Sequence, residues 1–211
     1  MNILNKILDI NNKLSKNDTK IRFADKNDLK ELLKEGLRPE DKDEFNIIEE
    51  KFGNNLNAED SLVQVFNSSE TVFTYCSPKK IFALFGVKQT NQQITEQISS
   101  VINLKNNKTA SPWLVGTKDF SRKKQDILYL GPKIIELFLN EFEILFNLTA
   151  FNIDNISETQ KLFIKNRLLW LEKCGFVIGK AFTERSARNN KKYIFYPFIT
   201  IKKEFKKCVQ N

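Results

Sequence analysis

Histidine is absent from all 211 positions. That removes histidine-based triads, histidine general bases and nearly all zinc enzymes in one step. Cysteine is sparse: Cys76, Cys174 and Cys208 are far apart, odd in number and without CxxC spacing. Such a set argues against a metal cluster or a redox pair and reads as reduced intracellular thiols. No stretch is long and apolar enough to span a bilayer. The first residues do not read as a secretion signal either, because their apolar positions are spaced rather than continuous and no small-residue cleavage site follows. A cytosolic-type soluble protein is the expectation. Glycine (7) and proline (5) are scarce, while Asn, Lys, Ile and Phe are plentiful. That bias resembles AT-rich coding and carries little functional information.

What remains is an ordinary globular balance, 41% hydrophobic and 28% charged, over a length that fits one domain. The net charge of +8 permits a nucleic-acid or virion-interior partner without requiring one.

Apolar periodicity sets the organisation. Ile3, Ile7, Ile10 and Leu14, with Leu4 and Leu8 alongside, mark an amphipathic helix over 1–17. Folding back on its own domain is its simplest role, and docking a partner is the alternative. Thr19 to Ala24 alternates like a strand, and Asp25 caps a helix with Leu29, Leu32 and Leu33 inside. Gly36 and Pro39 end that helix; two more follow, Asp41 to Lys51 and Asn57 to Asn67. Val72–Cys76 and Ile81–Val87 form a hairpin about Ser77-Pro78-Lys79. Residues 89–110 are a polar insertion. Pro112–Thr117 reads as a buried strand. Gly131-Pro132 reads as the start of a helix whose face is Ile134, Ile135, Phe138, Leu139, Phe142 and Leu145. A strand at Leu148–Asn152, a helix from Ser157 to Lys173, strands at Phe176–Phe182 and Tyr193–Thr200, and a basic tail over 201–211 complete the chain. This order predicts an α/β fold over 18–200: a central mixed sheet with helices on both faces.

Leu171-Glu172-Lys173-Cys174-Gly175-Phe176 resembles the "Tyr-Glu-Lys-x-Gly-Phe" end of the fourth helix in GNAT (Gcn5-related N-acetyltransferase) proteins. Ile21-Arg22-Phe23-Ala24, Asp28-Leu29 and Trp113–Thr117 extend the likeness over roughly 19–200, mostly as an order of elements. Phe82–Val87, Pro112–Thr117 and Trp170-Leu171…Gly175-Phe176 also resemble small GNAT-like proteins of short-tailed bacteriophages, described as internal virion proteins or acetyltransferases.

The resemblance implies acetyl-CoA as cofactor and no metal. It also implies three devices: a glycine-rich loop offering N–H groups to the pyrophosphate at a helix start, a splayed strand pair for the pantetheine, and a Tyr that protonates the leaving thiolate. Two devices depart from the pattern. The loop has Gly131 alone, leaving Arg122, Lys123 and Lys124 to attract phosphate with the helix dipole. The Tyr position holds Leu171, which has no proton to give, so no catalytic residue is assigned. Asn155, with Asn166 as a rival, fits the Asn expected after the fifth strand, and Glu70 and Asp119 are base candidates by position alone.

Trp113 and Trp170 read first as core and second as cleft walls. Lys202, Lys203, Lys206 and Lys207 read as a solvated tail, with DNA or an acidic surface as the functional alternative. Two functions follow from the likeness. One is a catalytically weak GNAT-fold component of a phage particle, in virion or host cytoplasm. The other is an active N-acetyltransferase on an amine or protein. A split between Trp113–Thr117 and Leu148–Asn152 is the structural test of the fold. Replacing Arg122, Lys123 and Lys124 together by Ala is expected to weaken acetyl-CoA binding by about 1–3 kcal/mol in calorimetry, the scale of one or two charge-assisted hydrogen bonds; unchanged affinity would remove the assignment.

Overall fold

The computed structural model describes residues 3–52, 56–90, 108–154 and 156–202. Most of the 89–110 insertion, Asn155 and the tail from 203 onward lie outside the described residues.

Helix α1 (Ile3–Leu14) buries Ile7, Ile10 and Leu14 in the main core, so the amphipathic stripe serves its own domain. Lys6 pairs with Glu136 at 3.0 Å. Asn11 closes the outer edge of β1 (Lys20–Phe23), donating to the Ile21 carbonyl at 2.9 Å and accepting its N–H at 2.7 Å. Side-chain pairing of this kind blunts an exposed sheet edge. Asp25 and Asp28 form a reciprocal capping box at the start of α2 (Lys26–Glu35). Gly36, at φ 84°, ends that helix; Pro39 opens α3 (Pro39–Phe52) rather than closing α2, as its preset φ suits a first helical position. Asn57 caps α4 (Ala58–Asn67).

The hairpin is β2 (Thr71–Ser77) and β3 (Lys80–Gln89). Then come β4 (Thr109–Gly116), a 3-10 turn at Phe120–Arg122, α5 (Lys124–Phe138), β5 (Ile144–Asn152) and α6 (Glu158–Lys173). Strands β6 (Val177–Ile178), β7 (Phe182–Arg185) and β8 (Lys192–Ile201) finish the sheet.

Further boundaries differ from the sequence reading: β4 begins at Thr109 and β5 at Ile144, both ahead of the expected strands. Helix α5 begins at Lys124, so Gly131-Pro132 lies inside it. The stripe Ile127, Leu130, Ile134, Phe138 runs unbroken through the Gly-Pro pair, and burial of that stripe outweighs the turn signal. The same helix stops at Phe138; Phe142 is buried from the following turn and Leu145 belongs to β5. Finally, the strand expected at Phe176–Phe182 is broken into β6 and β7. Both pair with β8, where Pro197 has no N–H for the ladder and its carbonyl accepts from Gly179 at 2.8 Å.

The sheet order is β1-β2-β3-β4-β5-β8-β6, with β7 also on β8, and every pairing is antiparallel except β4 with β5. Alternation sorts the side chains. Phe73 and Tyr75 of β2 join α1 and α5 on one face, while Cys76, Leu84 and Val115 meet α2 and α4 on the other. Further along, Ile47 of α3 packs on Ala150 and Phe195, whereas Phe163 of α6 meets Phe151 across the opposite face.

Among the described residues the one parallel ladder is two residue pairs long: Thr109 with Ile144 and Ala110 with Leu145. Beyond it β4 stays with β3 and β5 with β8, and the two strands part. Thr109 and Thr117 bond across to the β3 side, so the even-numbered residues of β4 direct their backbone groups toward β5. The first of these after Ala110 is Pro112, which has no N–H to donate. Asn147 spans the opening, donating to the Pro112 carbonyl at 2.8 Å while its own carbonyl accepts from Leu148 N–H at 2.8 Å.

Asp28 ties the first strand, the first hairpin and α2 together. Arg22 grips its carboxylate at 2.5 and 2.6 Å, Thr74 donates at 2.7 Å and the Asp25 amide at 3.0 Å. Burial pushes this carboxyl up, but the hydrogen bonds from Arg22, Asp25 and Thr74 prevail and hold it below the usual carboxylate range. Its contribution is therefore full above the unfolded carboxylate pKa and is lost as pH falls through the folded value. Asp28→Asn is expected to lose about 2–3 kcal/mol in urea denaturation at neutral pH, the scale of hydrogen bonds to a charged group. The gap to the native chain should close as pH drops from about 5 to about 2; a gap independent of pH would contradict this account.

Candidate functional site

A cavity of about 260 Å³ occupies the opening between β4 and β5. Its walls come from both sides of the sheet. Phe45 and Ile48 of α3 and Val65 of α4 close one side; Ile134, Ile135 and Phe138 of α5 and Trp170 and Leu171 of α6 close the other. The cavity therefore runs through the sheet at its one unpaired seam. Along β4 the backbone of Leu114 faces this gap by the same alternation that turns Pro112 and Gly116 toward it.

A charged network gathers at the wide end. Arg38 holds Asp41 through two hydrogen bonds of 2.8 and 2.7 Å, and Asp41 accepts the Gly116 N–H at 2.8 Å. Arg167 reaches from α6 to Glu44 of α3 at 2.8 Å and lies 4.0 Å from Asp41. Since α3 and α6 sit on opposite faces, this pair bridges them across the seam. Burial disfavours the Arg38 cation, but the Asp41 carboxylate outweighs burial and raises its pKa above the ordinary guanidinium value. Six side-chain polar atoms are buried without a hydrogen-bond partner among the described residues, and three of them, Thr149 Oγ1, Arg167 Nε and Trp170 Nε1, belong to side chains at this opening. All three side chains line the cavity. Unpaired buried donors are rare because each forfeits its hydration, so their grouping in one cavity marks it as a place for an acceptor.

The sequence matches no protein-family model and no curated protein. Solved structures do match in shape. A spermidine N-acetyltransferase from Vibrio cholerae, in complex with CoA and spermine, aligns over 90% of this chain and 98% of its own at 12% identity, with a TM-score of 0.56. An acetyltransferase of the GNAT family from Streptococcus pneumoniae aligns over 87% and 98% at 14% identity and a TM-score of 0.52. A structure of yncA from Salmonella typhimurium, with acetyl-CoA as its cofactor, aligns over 87% and 94% at 9% identity and a TM-score of 0.52. The fold is the GNAT acetyltransferase fold.

Within that GNAT frame the residues singled out from sequence fall into two groups. Leu171 is buried and lines the cavity, as do Trp170, Trp113 and Gly131. The tryptophans are thus cleft walls as well as packing. Trp113 lies against Gly86 and donates to Ser69 Oγ at 2.8 Å. Arg122, Lys123 and Lys124 sit where β4 hands over to α5, outside the cavity lining. Arg122 is 84% exposed and pairs with Asp119 at 3.0 Å; Lys123 lies 4.9 Å from the Phe82 ring centre. Asp119 is held below the usual carboxylate range by its hydrogen bond with Lys80, and neither it nor the exposed Glu70 borders the cavity. Asn166 is exposed on α6, and Asn155 lies outside the described residues. No group of three or more Cys, Asp or Glu among the described residues is arranged to hold a metal ion. No helix among them is long and apolar enough to cross a membrane.

Sequence reasoning missed Arg167, Glu44 and Asp41. The signal was present: Arg167 interrupts the stripe Ile164, Leu168, Leu171, and Asp41 and Glu44 share a helical face with Phe45 and Ile48. A charge inside an apolar stripe needs a buried partner.

Gly131 acts through contact with α6. A Cβ there would collide with Cys174 Sγ and come within 3.3 Å of the Trp170 ring. Gly131→Ala is expected to lower stability by up to about 2 kcal/mol, overpacking of about 1–3 kcal/mol set against a helix-propensity gain near 1 kcal/mol. Cys174→Ala in the same chain should recover part of that loss. A thermal double-mutant cycle with no coupling would show that the two helices do not meet as described.

Proposed function

We propose that the seam between β4 and β5 binds the thioester arm of an acyl-CoA, and that the chain is a GNAT-fold acyltransferase-like protein with weak catalysis. The observation that carries this reading is the interrupted parallel ladder: Leu114 presents an N–H and a C=O to a gap that holds a cavity. An extended amide chain fits such an edge as an added strand would. The comparison structures support the same reading, since two of them contain CoA or acetyl-CoA. Lys123 and Lys124 stand at the first turn of α5, directly after β4, where the helix dipole and two cations suit phosphate. The glycine cradle is missing, so phosphate contact falls to these side chains and Arg122.

A bound acyl thioester supplies an activated acyl carbon; on transfer to an amine a C–N bond forms, the C–S bond breaks, nitrogen loses a proton and sulfur gains one. Leu171, facing the cavity, provides no proton for the sulfur. Trp170 Nε1 offers a hydrogen bond but does not ionise usefully, so it stabilises charge without general-acid catalysis. The role of a phage particle component or interaction module rests on the sequence likeness alone. An active N-acetyltransferase is the second reading, favoured by the comparison structures, which include a spermidine N-acetyltransferase and an acetyltransferase of the GNAT family.

Calorimetry with acetyl-CoA tests the first point: micromolar binding is expected, and none at millimolar ligand would reject it. A turnover assay over a panel of amines and peptides tests the second. Little turnover is expected from the native chain, and Leu171→Tyr should raise it about tenfold or more, part of the roughly 10²–10⁴-fold that general acids supply. Turnover of ordinary enzymatic size in the native chain would establish the second reading instead.

A further inference from the structure

The size and chemistry of the cavity specify more than the presence of a thioester. An engineered cavity of about 150 Å³ lined by Leu, Ile and Phe takes up benzene, six carbons. By that scale the 260 Å³ here has room for about ten carbon atoms. The two carbons of an acetyl group would leave most of it empty, and empty apolar space forfeits dispersion contacts on every wall. Nor does the rest of the space suit the pantetheine arm. Its amides need partners, and the gap-facing edge of β4 offers those of Leu114, whereas Phe45, Ile48 and Val65 would leave a buried amide unpaired.

Both walls are largely apolar, and the charges on the α3 side, Asp41 and Glu44, are already paired with Arg38 and Arg167. The unpartnered atoms of side chains that line the cavity, Thr149 Oγ1, Arg167 Nε and Trp170 Nε1, belong to β5 and α6. Phe45, Ile48 and Val65, from α3 and α4, form the opposite wall. A ligand with one polar carbonyl and a hydrocarbon tail satisfies both. We infer that the cleft is built for a medium-chain acyl-CoA, with about six to ten carbons, the thioester carbonyl on the α6 side and the tail passing through the sheet toward α3 and α4. This rests on the acyl-CoA reading above and adds the chain length.

The test is calorimetry of the full chain with CoA, acetyl-CoA and octanoyl-CoA, repeated on Ile48→Trp and Val65→Phe, which fill the tail end. Burying six further methylenes is expected to make octanoyl-CoA bind at least about thirtyfold more tightly than acetyl-CoA. Each filled variant should reduce the ratio of octanoyl-CoA to CoA affinity by about tenfold or more. Using two variants with melting curves guards against one that does not fold, and the ratio within a variant cancels a general loss. Equal affinity for acetyl-CoA and octanoyl-CoA, with CoA binding intact, would overturn the chain-length inference and leave the acyl-CoA reading standing. A preference for octanoyl-CoA that both variants preserve would overturn the placement of the tail. Binding of none of the three would overturn both readings.

Discussion

The opening in the sheet begins at a missing hydrogen, that of Pro112. In a parallel pair each backbone group on the facing edge needs a partner, and β4 loses its donor one step past Ala110. The strands then follow their other neighbours, and the right-handed twist of each half carries them apart. Asn147 takes over the carbonyl that Pro112 still presents, so the narrow end of the opening is held to a fixed width by a side chain rather than by ladder. The same chemistry recurs at Pro197, where the outer strand breaks into β6 and β7. One proline creates an interior cleft, while the other, near an edge, only divides a strand.

An opening in a sheet exposes backbone that must be satisfied or hydrated. Part of the answer here is charge. Asp41 takes the Gly116 N–H, Arg38 neutralises Asp41, and Arg167 with Glu44 links the helices on either face. A buried ion pair of this sort contributes little net stability, because desolvation offsets most of the attraction. Its effect is geometric: it fixes how far α3 and α6 stand apart. Leu114 and the unpartnered atoms of Thr149, Arg167 and Trp170 are the groups left facing the gap. Fold and site are therefore the same feature seen at two scales.

Much of the architecture is legible in the residues. Asp25, read as a cap, does cap α2, and the helices expected from Asn57 and Ser157 begin one residue later, with those two residues as their caps. The Ser77–Lys79 turn joins the strands expected of it. The reading failed where two local signals competed. Gly131-Pro132 has the chemistry of a helix start, yet it lies mid-helix because the apolar stripe continues through it, and the glycine is there because Trp170 and Cys174 leave room only for a hydrogen. Phe142 and Leu145 continue a helical spacing that the chain abandons after Phe138, since burial in the same core is satisfied by turn and strand as well. In the cleft, Leu171, Trp113, Trp170 and Gly131 were visible through family likeness and residue type. The carboxylates and Arg167 were overlooked because a charge on a helix is ordinarily solvated, and their pairing depends on elements more than a hundred residues apart in the chain.

The two-residue length of the β4–β5 ladder also bears on how the molecule is put together. Strands β1 to β4 use the chain up to Gly116, and β5 to β8 use it from Ile144 onward, so each half-sheet is written in one continuous stretch. Of the pairings β1–β2, β2–β3, β3–β4 and β5–β8, only β2 with β3 is a tight hairpin; the others are closed by longer connections within each half. Helix α5 is the connection between them. The join itself is held by two residue pairs, Asn147 and the Arg167 bridge, so few backbone bonds cross from one half to the other. The cavity lies along the line where one continuous stretch of chain hands over to the next.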